Sequence, residues 1–351
     1  MVCKLSIIQN ENVRLSELGA HPFVLKGRIA MMNAAVLRQF GETPKFESFS
    51  DPVPDQGEVT VHVAAAALNP STKLLASGQH YASPKQLPVV CGVEGIGRLD
   101  DGTRVFFGVR RPPNGSMCQR TAVPRAFCWP LPEGVSDIVA AALPNPGLSS
   151  WLPLVTTARL AEDETVLVLG ATGVAGQLAI QIAKHLGAGR VVATGRNEEV
   201  LAHLRQIGAD SVMSLTAPDD ELEQTFAQEG GTGGFDVVLD YLWGHPTEVL
   251  LHAMTHKGFP TPSSGARLIQ IGDSAGPVIS LSAQALRSAG VTITGSGVMP
   301  AMEVLSSAFQ QLMDLAAHNK IHIEVESVPL QDIEKAWTHT DLHGRRLVIV
   351  P

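Results

Sequence analysis

Thr165-Val-Leu-Val-Leu-Gly170-Ala-Thr-Gly173-Val-Ala-Gly176-Gln-Leu-Ala-Ile-Gln-Ile-Ala-Lys184 decides the fold. Its first five residues are a continuous apolar run, the pattern of a strand buried on both faces of a parallel sheet. Three glycines follow at three-residue spacing. Beyond them Ala175, Leu178, Ala179, Ile182, Ala183 and Leu186 fall on one helical face. Strand, glycine turn and helix together form a phosphate cradle over Gly170, Ala171, Thr172, Gly173, Val174, Ala175 and Gly176. Small residues let a pyrophosphate approach the backbone, and the free amides and dipole at the helix start favour an anion. A second strand-like run, residues 190–194, ends in Gly195-Arg196-Asn197. An acidic side chain at that strand end would accept from an adenosine ribose and repel a 2′-phosphate. Arg196 instead offers a planar cation that pairs with a phosphate through two hydrogen bonds. The expected cofactor is NADPH.

The whole chain sets the limits. Its 351 residues suffice for two cores, and an apolar fraction of 44% with 17% charged residues suits an ordinary globular protein. A net charge of −8 argues against nucleic acid or an anionic membrane as the main partner. No apolar run approaches the ~20 residues that span a bilayer. Cys3, Cys91, Cys118 and Cys128 lie far apart, giving neither a disulfide framework nor a structural zinc signature. A reducing, cytoplasmic setting is expected. Residues 1–31 carry no recognisable targeting signal and are expected to be an N-terminal extension.

From residue 32 to 146 short β-runs (34–37, 58–63, 88–91, 104–107 and 117–123) are broken by proline and glycine, with turns such as Asp101-Gly102. This predicts a small irregular β-barrel. From residue 147 to 296 the rhythm alternates. Strands are expected at 211–215, 235–240, 266–272 and 291–294, and helices at 198–207, 219–229, 246–255 and 282–288. With the first two strands they make a six-stranded, doubly wound parallel sheet. A helix over 302–317 and a closing strand in Arg345-Arg346-Leu-Val-Ile-Val350 return the tail, residues 297–351, to the barrel. Val291 and Ile293 lie at the edge of the doubly wound order, where an apolar unpaired ladder predicts a homodimer.

These features resemble the medium-chain dehydrogenase/reductase superfamily, and within it the zinc-free quinone oxidoreductase-like branch. The matching words are Leu68-Asn69-Pro70 with Ser77-Gly78, Ala141-Ala-Leu-Pro144 leading to Gly147-Leu148 and Trp151, the three-glycine turn, Pro329-Leu330, and Arg346-Leu-Val-Ile-Val-Pro351. The resemblance implies a dinucleotide-binding Rossmann domain beside a GroES-like catalytic domain. It also implies a zinc-free site, because the three places that hold Cys, His and Cys in zinc-dependent members hold Asn69, Val93 and Asn145 here. Neither an amide nor valine supplies the donors zinc needs.

The same resemblance implies a list of site residues. Asn145, Ser149, Gln270, Ile271 and Gly272 fall where relatives line the nicotinamide half, and Arg346 where they hold a basic residue near the pyrophosphate. Glu94 matches a carboxylate near the active centre; with Arg346 it forms either a pair that orients the cleft or a buried structural ion pair. Asn69, Ser71 and Tyr81 fall near the reacting centre. Tyr81 is either a proton donor or an aromatic wall, and Ser71 either a substrate-facing hydroxyl or a helix cap. Two departures stand out: Ser214-Leu215 replaces the acid and tyrosine usual after the third strand, and Asp240-Tyr-Leu-Trp243-Gly244 is bulkier than usual.

The implied activity is an NADPH-dependent hydride transfer to a quinone or α,β-unsaturated carbonyl. An enoyl-thioester reductase of the same fold competes with it, needing a basic patch for which Arg110, Arg111, Arg120 and Arg125 are available. An NADPH-binding sensor or partner protein with little turnover is the third reading.

Overall fold

The computed structural model describes residues 30–109, 111–256, 258–297, 300–340 and 342–351. The expected extension thus lies outside the described residues except at its end. There Met31 already pairs with Ser50 in the strand Met31–Leu37 and belongs to the sheet.

The alternating half of the chain builds strand β1 (Thr165–Leu169), helix α1 (Val174–His185), β2 (Arg190–Gly195), α2 (Glu198–Leu204), β3 (Ser211–Ser214), α3 (Asp219–Glu229), β4 (Val237–Asp240), α4 (Gly244–Ala253), β5 (Ala266–Gln270), α5 (Ala283–Ser288) and β6 (Val291–Gly295). All neighbours run parallel, in the order β3-β2-β1-β4-β5-β6. Val166, Leu167, Val168 and Leu169 are fully buried, as a strand covered on both faces requires. The order reverses between β1 and β4, so the turns leaving these two strands open a crevice at their carboxyl ends.

Helix limits follow local chemistry. Asn197 caps α2 by accepting from the Val200 amide at 3.1 Å, and Asp219, Asp220 and Glu221 fill the first turn of α3, where the dipole favours them. The helix expected over 198–207 tightens to a single 3₁₀ turn, Arg205–Ile207, because Gly208 at φ 113° ends it left-handed.

The β-rich part is irregular, as expected. Strand Glu58–Ala67 pairs with Glu94–Arg98 and with Arg120–Pro124, and the last strand, Arg346–Val350, joins it through Val348↔Ala67 and Ile349↔Ala66. The helix Met302–Ala317 lies between this sheet and the parallel one. Its Phe309 ring sits 4.9 Å from Phe106 and 5.1 Å from Trp129, while Ala308, Leu312 and Met313 share one buried cluster with Val166, Val168 and Leu178. Among the described residues, no helix is long and apolar enough to cross a membrane.

The turn between β1 and α1 is fixed by close approach. A Cβ on Gly176 would stand 2.4 Å from the Gly170 carbonyl oxygen and 2.5 Å from the Ala171 Cα. At Gly173 the nearest atom would be 3.6 Å away, an ordinary contact. The two glycines therefore answer different demands, one internal and one external. Gly176→Ala should destabilise the protein by about 1–3 kcal/mol through overpacking, whereas Gly173→Ala should leave stability nearly unchanged. Thermal unfolding of both variants checks this, and equal losses at the two positions would contradict it.

Candidate active site

The crevice is built from four loops. The first is the turn 170–173, at whose end Gly173 starts α1 with no side-chain cap. The first intrahelical bond runs from the Gln177 amide to the Gly173 carbonyl at 3.0 Å, so the amides of Val174, Ala175 and Gly176 point beyond the helix. Thr172 reaches across to the end of β2, where a Cβ on Gly195 would lie 2.4 Å from its Cγ2. Arg196, the next residue, is exposed and unpaired among the described residues. Three free amides, open space at Gly173 and an unpaired cation form one anion-accepting face. That is the donor set a dinucleotide with a 2′-phosphate needs. Asn197 contributes less than expected, since its side-chain oxygen caps α2.

The second loop leaves β4. Asp240 is fully buried, and its Oδ1 accepts from the Leu242 and Trp243 amides, both at 2.9 Å, while Oδ2 accepts from the Thr247 hydroxyl at 2.6 Å. Burial pushes this carboxyl above the usual range, against the pull of those three donors. The clamp holds Trp243 at φ 52°, a strained backbone for a bulky residue.

Between Asp240 and Trp243 stands a residue that sequence reasoning passed over. The Tyr241 hydroxyl lies 2.7 Å from Ser150 Oγ, which also donates to the Ala175 carbonyl in the first turn of α1 at 3.4 Å. Burial pushes the Tyr241 phenol up to about 12, with the Ser150 and Ser149 hydroxyls pulling the other way. Ser149, the expected neighbour of the nicotinamide, donates to the Pro146 carbonyl at 2.7 Å and stands beside Asn145 on the helix Pro144–Leu152. Only the pairing of β1 with β4 brings Tyr241 to these serines. The third loop, Ile271 and Gly272, is fixed by both amides donating to the Asp240 carbonyl, at 2.8 and 3.1 Å.

The fourth side is the Asn-Pro word. Asn69 is fully buried ahead of the helix Pro70–Ala76, and its Nδ2 donates to Glu94 Oε1 at 2.9 Å. Asn69 Oδ1 and Ser71 Oγ are both buried without a hydrogen-bond partner. Ser71 therefore does not cap its helix, and two buried polar atoms are left for a ligand to satisfy. A cavity of about 140 Å³ adjoins the helix Pro70–Ala76, lined by Thr72, Leu75, Ala82, Val89, Cys91 and Arg111. Tyr81 is not part of it. That residue is 96% exposed, its ring set against His80 at 4.2 Å, because the loop's backbone presents Ala82 inward instead.

Arg346 has the features of the second alternative, a buried partner of Glu94. It is buried, donates to the Leu68 carbonyl at 3.4 Å, and keeps its Nε unpartnered. Burial lowers its guanidinium to about 10, and the Glu94 carboxylate pulls it back up. It thus packs against the Asn-Pro word. Gly344 lies at the glycine turn, its carbonyl accepting from Gln177 Nε2 at 3.4 Å; a Cβ there would be 3.0 Å from the Thr172 oxygen.

The comparisons agree with this fold. Residues 174–318 match the family model described as zinc-binding dehydrogenase. The "Probable NADPH-dependent quinone reductase tdiC" of Emericella nidulans is 26% identical over 91% of this chain and 100% of its own length. The solved quinone oxidoreductase of Thermus thermophilus, known also in complex with NADPH, is 26% identical, covers 91% of this chain and 100% of its own, and superposes with a TM-score of 0.73. These likenesses support the medium-chain dehydrogenase/reductase superfamily. Within that superfamily the likeness is to the quinone oxidoreductase-like branch, a group of oxidoreductases. A mycocerosic acid synthase-like polyketide synthase of Mycobacterium tuberculosis also matches, 29% identical over 66% of the chain, which spans only 11% of that protein.

The places that the resemblance assigns to the superfamily's catalytic zinc do not offer its usual donors. They hold Asn69, Val93 and Asn145, and all three precede the residues matched by the family model. As to the crevice itself, Tyr241→Phe removes one buried hydrogen bond and should lower stability by about 1 kcal/mol. Thermal unfolding measures this; a variant melting with the parent would show that the hydroxyl does not seat the serines.

Proposed function

We propose that the chain is an NADPH-dependent, zinc-free oxidoreductase acting on a quinone or an α,β-unsaturated carbonyl. The observation that carries this reading is the uncapped start of α1 with Arg196 beside it, together with the buried, unpartnered oxygens of Asn69 and Ser71. The amides of Val174, Ala175 and Gly176 would hold the pyrophosphate, Arg196 the 2′-phosphate, and Asn145, Ser149, Ile271 and Gly272 the nicotinamide half. NADPH supplies the hydride. The Ser71 hydroxyl can donate to a substrate oxygen as charge develops there, and the Asn69 amide, fixed by Glu94, keeps its own oxygen free. An acceptor that already delocalises its charge needs no metal, only a held geometry. Cys91, Cys118 and Cys128 are free thiols, in keeping with a reducing, cytoplasmic setting. The working division is 32–146 with 297–351 as the GroES-like catalytic domain and 147–296 as the nucleotide domain.

The enoyl-thioester reading draws on the polyketide synthase match, but of its four arginines only Arg125 is exposed without an ion pair among the described residues. Arg111 is paired with Glu58 and Asp55 and Arg120 with Asp51, and Arg110 lies outside the described residues. A screen of NADPH oxidation against quinones, enones, enals and enoyl-thioesters separates the readings, and silence on all four favours a sensor. Arg196→Asp should weaken NADPH about tenfold or more while sparing NADH. Equal affinity of the parent protein for both cofactors would sink the assignment.

We also propose a homodimer through β6. This strand pairs with β5 alone among the described residues, and the chain leading to it exposes Val278 and Leu286. Joining two such edges about a two-fold axis pairs both ladders. Proline at Thr292 or at Thr294 should split the dimer at one of the two positions. Light scattering at micromolar concentration decides, and a monomeric parent protein refutes the proposal.

A further inference from the structure

We propose that Glu223, His252 and His256 form a binding site for a divalent transition cation of the zinc class, on the outer face of α3 and α4. The inference is independent of the redox reading, since no residue of the crevice takes part.

His252 lies in the last turn of α4, and His256 one further turn along the chain. The turn is fixed by the Thr255 amide donating to the His252 carbonyl at 2.9 Å and the His256 amide to the Ala253 carbonyl at 3.1 Å. Spacing of four residues puts both rings on one face, with centroids 4.8 Å apart and edge to face. Glu223 comes from α3, where buried Leu222 and Phe226 anchor the helix. Its two carboxylate oxygens face the two rings separately: Oε1 lies 2.6 Å from His252 Nδ1, and Oε2 lies 3.4 Å from His256 Nδ1. The three ligand atoms all fall within 4.8 Å of one another, and this is the one such group among the described residues.

Two imidazole nitrogens and one carboxylate are the donor set of a three-ligand zinc site. Ligand atoms around a tetrahedral zinc stand about 3.3 Å apart, within the spread seen here. The side chains of His252 and His256 are 65% and 55% exposed, so small rotations can close the set. A hollow of about 360 Å³, lined by Asp220, Glu223, Gln224, His256 and Phe259, leaves room for the water that completes the coordination. Binding needs no net loss of protons from neutral rings, because each Nδ1 proton can move to Nε2 as the metal takes its place. The alternative is a pair of hydrogen bonds from exposed rings to a carboxylate, which contribute little to stability and call for no cation.

The test begins with the whole protein stripped by a chelator. Added Zn²⁺ should bind at one ion per chain by calorimetry and raise the melting temperature, because it binds only the folded state. Mg²⁺ and Ca²⁺, which prefer oxygen donors, should do neither. His252→Ala, His256→Ala and Glu223→Gln should each weaken Zn²⁺ about tenfold or more while melting with the parent in chelator. NADPH turnover should be the same with and without the metal. Absence of saturable binding overturns the proposal, as does binding that survives both histidine substitutions, or Ca²⁺ binding as well as Zn²⁺.

Discussion

The approach of Gly176 to the Gly170 carbonyl sets the position of nearly everything else in the crevice. It seats the first turn of α1 against the end of β1, so the amides of Val174, Ala175 and Gly176 face outward at one fixed distance from the sheet. The same turn carries the Ala175 carbonyl that receives Ser150, and Ser150 in turn meets Tyr241. From the other side Gly344 closes on Thr172 and Gln177, tying the tail of the chain to the same few atoms. A displacement of the helix start by one methyl group would therefore reach the phosphate face, the serine pair and the return loop together.

Periodicity and the glycine spacing made the parallel sheet legible. The apolar run 166–169, the helical face of α1 and the change to alternating rhythm near residue 147 are local signals, and the strand order follows from general rules of doubly wound sheets. The helices Asp219–Glu229 and Met302–Ala317 match the expected limits because their polar and apolar faces are unbroken.

The site was less legible where contacts are distant in sequence. Tyr81 looked suitable because it stands in a polar loop after the Asn-Pro word, yet nothing local decides which of Tyr81 and Ala82 faces inward. Arg346 carried the expected charge, but its direction depends on the strand pairing that lays Leu347 against Leu68. Tyr241 and Ser150 are 91 residues apart and meet only through packing. Glu223 joins His252 and His256 in the same manner, from a different helix.

Cys91 lines the cavity, and burial pushes its thiol up to about 12. At neutral pH the group stays a thiol and not the thiolate, the form that attacks electrophiles. Quinones and enones alkylate thiolates readily, so a pocket that held such a group ionised would inactivate itself in use. Here the sulfur acts as a small apolar wall. The desolvation that shapes the cavity also protects the protein from covalent attack by the compounds it is proposed to accept.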